Sequence, residues 1–155
     1  MLRMSYELHT KHSQSSTGGK IMELMRPLVA NDEPQLQWFA QNDFMYDMER
    51  AEDRRTNEFW AIHFIVALRV QGQRAYTRFK EVIADPPGSA VMKRYMTDHH
   101  FYLALAQGNE AGMREALAAM VSPEGLKLTD GREGGYTRDL ISTCAMMYTK
   151  LAWRR

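Results

Sequence analysis

Three stretches of this chain carry the same local instruction. They read Leu28-Val-Ala-Asn31-Asp-Glu-Pro-Gln-Leu36, Leu68-Arg-Val-Gln-Gly72-Gln-Arg-Ala-Tyr76 and Leu105-Ala-Gln-Gly108-Asn-Glu-Ala-Gly-Met113. In each, an apolar segment ends on Gly or Asn, the residues that enter the left-handed conformation of a helix C-terminus at least cost, and a short polar link opens another amphipathic segment. Asn31 or Asp32, and Asn109, offer a side-chain oxygen suited to N-capping that next helix, and Pro34 falls where a first helical turn tolerates a missing N–H. The turning points Asn31, Gly72 and Gly108 are 41 and 36 residues apart. Two-helix arrays of tetratricopeptide and HEAT type repeat every ~34 to 47 residues. An irregular bundle of αα-hairpins uses the same turn chemistry, so both packings stay open.

From Lys20 onward, β-branched runs and period-two alternation are scarce, while Ala, Leu, Met, Glu, Arg and Gln dominate. That pattern predicts an all-α fold of about seven helices in αα-hairpins. The expected helices cover 20–29, 34–41, a segment from 43 to 71 that is one long helix or a kinked pair, 73–84, 89–107 and 109–121. A last one carries Leu140, Ile141, Cys144, Met147 and Leu151. Ser89 is the expected cap of the fifth helix. Asp85-Pro86-Pro87-Gly88 and Ser122-Pro123-Glu124-Gly125 are expected stops, because proline lacks an amide donor and restricts the residue before it. Residues 1–19 end in a Ser/Gly-rich run too polar to pack and read as a flexible N-terminal arm; residues 20–155 read as a single all-helical domain.

With 155 residues, 45% of them apolar, the chain buries enough surface to fold without disulfides or a structural metal. The single Cys144 cannot form an internal disulfide, which points to a reducing, cytoplasmic compartment. No apolar run approaches the length of a membrane span, and Met1–Glu7 lacks the apolar core of a signal peptide. A net charge of +1 gives no global attraction to nucleic acid or to an anionic membrane. The charges are unevenly placed, however: residues 20–58 hold nine acids and five bases, and residues 59–108 hold six bases and three acids.

Asp43, Asp47, Glu49, Glu52 and Asp53 form the densest acidic set, interleaved with Phe44, Tyr46 and Met48. Paired with Arg50, Arg54 and Arg55 they make an ordinary solvated helix face. Turned toward a basic protein, the acids steer encounter and the aromatics supply anchors. Asp43, Phe44, Tyr46, Asp47, Glu49, Glu52 and Asp53 are therefore the candidate partner-binding residues.

Motifs for chemistry are sparse. No GxSxG, GxGxxG, GxxxxGK[ST], HExxH or CxxC spacing occurs, and the glycines of Gly131-Arg-Glu-Gly134-Gly135 follow no strand, so they read as a flexible turn. Asp98-His99-His100 resembles an acid/base cluster, but adjacent helical residues point about 100° apart, so the two imidazoles cannot chelate one ion from a regular helix. His99 and His63 lie on apolar stripes, as core histidines do. Asp98 follows Arg94 by four residues, which suits a helical ion pair. Cys144 also falls on an apolar stripe and reads as packing. No catalytic residue, cofactor or metal ligand is expected.

At Asp98-His-His-Phe101-Tyr102-Leu-Ala-Leu105-Ala-Gln-Gly108-Asn109-Glu-Ala-Gly-Met113, and again from Gly134-Gly-Tyr-Thr-Arg-Asp-Leu140 through Leu151-Ala-Trp153, the chain resembles the immunity protein 49 family. The resemblance extends over residues 20–155 and is strongest in 89–155. It implies an all-helical protein encoded beside a toxin of a bacterial polymorphic or contact-dependent secretion system, which it neutralises by binding in the cytoplasm. The partner expected is a cognate toxin, such as a basic nuclease, with no membrane and no direct nucleic-acid contact. Chains of this kind are expected to continue past the last helix, so a stop at Arg155 reads as a short or truncated member. The same hairpins also suit a tetratricopeptide-like adaptor for a protein or peptide. An enzyme using His63 or His99 with Asp98 is the third reading.

Overall fold

The computed structural model describes residues 24–41, 48–69, 72–89, 93–129 and 141–154. Among them the chain is all-helical: α1 (Met25–Val29), α2 (Glu33–Gln41), α3 (Met48–Glu52), α4 (Asn57–Arg69), α5 (Gly72–Ala84), α6 (Met96–Gln107), α7 (Glu110–Val121), α8 (Pro123–Thr129) and α9 (Thr143–Trp153). The expected arm at 1–19, the turn at 131–135 and Leu140 lie outside the described residues. The contacts divide the chain into two compact units, Met1–Val66 and Ala67–Arg155, with the boundary inside α4.

Two of the three repeated phrases fold into the same turn. At the end of α1, Asn31 has φ 54°, the Asp32 N–H reaches back to Pro27 O (2.9 Å), and Asp32 Oδ1 accepts the Gln35 N–H (3.2 Å) to cap α2. After α6, Gly108 has φ 66°, the Asn109 N–H reaches Ala104 O (2.9 Å), and Asn109 Oδ1 accepts the Gly112 N–H (3.0 Å) to cap α7. Each turn therefore joins a left-handed C-cap directly to an N-cap, so the carbonyls orphaned by one helix and the amides orphaned by the next are satisfied within a few residues. In the middle phrase, residues 70 and 71 lie outside the description. Gly72 is the first residue of α5 rather than a C-cap.

Nine described helices exceed the seven expected, for local reasons. Between α3 and α4 the chain breaks: Asp53 Oδ1 accepts the Arg55 N–H (2.9 Å), and the Thr56 hydroxyl accepts the Phe59 N–H (3.3 Å) as the cap of α4. Ser122-Pro123 is a restart and not only a stop. Ser122 Oγ accepts the Gly125 N–H (3.0 Å), and Pro123 takes the first helical position, where its missing donor costs nothing. Gly125 is required there, since a Cβ on it would sit 2.0 Å from the Ala119 carbonyl oxygen. The fifth expected helix is interrupted: residues 90–92 lie outside the described residues, the Lys93 N–H bonds Ser89 O (3.1 Å) at helical spacing, and a turn at 94–95 precedes α6, which starts at Met96.

In the first unit, α1 packs on α2, burying Leu28, Leu36 and Phe39. Phe59, Trp60, Ile62, Phe64 and Ile65 are buried along α4, a helix apolar on most sides and hence covered on most sides. In the second unit α6 packs on α5 and α7, and α7 also on α8 and α9. Its centre is aromatic. Phe101 stacks on Tyr148 (centroids 4.9 Å apart, 13° between planes), Tyr102 meets Phe79 at 5.3 Å and Tyr148 at 5.4 Å, and the two phenol oxygens are hydrogen-bonded at 2.7 Å. Cys144, Met147 and Leu151 of α9 are buried as its apolar stripe requires, whereas Ile141, just before the helix, is 49% exposed.

Two outcomes follow for stability, both measurable by chemical denaturation. Gly108→Ala places a Cβ in the left-handed region and costs about 1–2 kcal/mol. Tyr102→Phe and Tyr148→Phe each leave the other hydroxyl without this partner, costing about 1–2 kcal/mol. The double Phe variant loses less than the sum of the two, because it removes both polar ends together.

Candidate partner-binding surfaces

Asp43, Phe44, Tyr46 and Asp47 lie outside the described residues. Glu49 and Glu52 are exposed on α3, and Asp53 follows at its end. Arg55 grips Asp53 with both arms of its guanidinium, Nε to Oδ1 at 2.9 Å and Nη2 to Oδ2 at 2.8 Å, while its backbone N–H bonds the same carboxylate. These hydrogen bonds hold the Asp53 carboxyl down at about 2 and raise the Arg55 pKa in turn. Arg54 turns the other way: its guanidinium lies 5.7 Å from the Phe59 ring centroid, and its carbonyl accepts the Trp60 indole N–H (3.0 Å). Asp53 thus belongs to an ion pair within its own segment. Glu49 and Glu52 are the described members of the acidic set that are exposed.

The histidines divide as the helical geometry demands. His99 is fully buried and its neighbour His100 exposed. A carbonyl oxygen only accepts, so the Nδ1 of His99 carries the proton it shares with Tyr95 O (2.9 Å), and that of His63, also fully buried, the proton it shares with Phe59 O (2.6 Å). Each ring is then set edge-on against aromatics, His63 against Phe59 (4.8 Å) and His99 against Tyr102 (5.5 Å). Asp98 is also buried. Arg94 donates to Tyr95 Oη (3.2 Å) and lies over that ring. Among the described residues no group of three or more His, Cys, Asp and Glu is placed to hold a metal ion, and no helix is long and apolar enough to cross a membrane.

The sequence reading missed a groove of about 360 Å³ that runs along one side of the α6–α7 hairpin. Leu103, Ala104, Ala116 and Ala119 line it together with the exposed His100 and Glu115. The signal was present in the sequence: Gly112, Ala116 and Ala119 recur at helical spacing, and a stripe of such small side chains leaves a channel where larger ones would fill it.

Asp53 gives a direct electrostatic check. In an NMR pH titration its carboxyl titrates near 2 and rises toward the ordinary 3.8 in Arg55→Gln. Because the carboxyl is depressed, the pair's stabilisation is present above the ordinary carboxylate range and fades as pH falls toward 2; at this exposed site it is small. Comparison with protein families, with curated proteins and with solved structures finds no match for this chain.

Proposed function

We propose that this protein is an immunity protein that binds a cognate bacterial toxin in the cytoplasm and neutralises it by covering part of its surface. The observation that supports the reading is that, among the described residues, His63, His99 and Cys144 are buried in packing, where they serve the core and not a partner's surface. The resemblance of residues 98–113 and 134–153 to the immunity protein 49 family supplies the class of partner. On this reading the acidic set at 43–53, with Glu49 and Glu52 outermost among its described members, meets a basic toxin face by charge complementarity. The adaptor reading is favoured by one feature, the α6–α7 groove, whose mixed polar and apolar lining suits a peptide or a helix from another protein.

Co-expression with the toxin encoded next to this gene tests the proposal. Protection of the cell and a stable one-to-one complex are the expected results; toxicity undiminished and no complex would sink it. In the purified pair, Glu49→Lys with Glu52→Lys slows association about 10- to 100-fold and flattens its salt dependence. An adaptor instead recovers several partners in a pull-down and is insensitive to that charge reversal.

A further inference from the structure

We draw no further inference here: the strongest candidate, the groove along the α6–α7 hairpin with Gly112, Ala116 and Ala119 on one wall and Leu103 and Ala104 on the other, rests on a small-residue stripe, and nothing in the structure shows what covers it.

Discussion

The Tyr102 and Tyr148 hydroxyls, 2.7 Å apart and buried, fasten α9 to α6 over a sequence separation of 46 residues. Hydrophobic burial alone is non-directional and would let α9 slide or rotate on its neighbours. A phenol pair in a dry interior does not allow that, because any shift that parts the oxygens leaves polar groups buried without their bond. The Phe101–Tyr148 stack and the contacts of Phe79 with Tyr102 and His99 fix the tilt of the same rings. The inward face of α9 is thereby determined, and with it the outward position of Met146, Lys150 and Trp153.

Local chemistry was the legible part of the sequence. Asn31, Asp32, Gly108 and Asn109 act through bonds to residues at most five positions away, so a linear reading finds both turns and both caps. Ser122-Pro123 shows where such a reading is ambiguous: serine followed by proline ends one helix and begins another with equal ease, and only the close approach of Gly125 to Ala119 distinguishes a corner from a loop. Burial was legible where the stripe was strong, as at Cys144, Met147 and Leu151, and not at Ile141, which precedes the helical period it was assigned to.

Surfaces were less legible because they depend on which residues lie opposite one another. Net charge could not separate a docking face from a self-compensated one. Asp53 is compensated by Arg55 two residues away, a pairing that a count of charges does not show. The α6–α7 groove lies where the small-residue stripe of α7 faces Leu103 and Ala104 of α6 across the Gly108 turn, a relation absent from either helix alone. Trp153 falls outside the stripe of Cys144, Met147 and Leu151, and its phase on α9 places it opposite Leu151 and Tyr148, where it is exposed.

Cys144 turns the packing of the second unit into a clock. It is the single thiol of the chain, it is in no disulfide, and its side chain is on the buried face of α9. A thiol-specific reagent reaches its sulfur only when that helix lifts from the aromatic centre, so the rate of labelling under native conditions reads the free energy of that one opening.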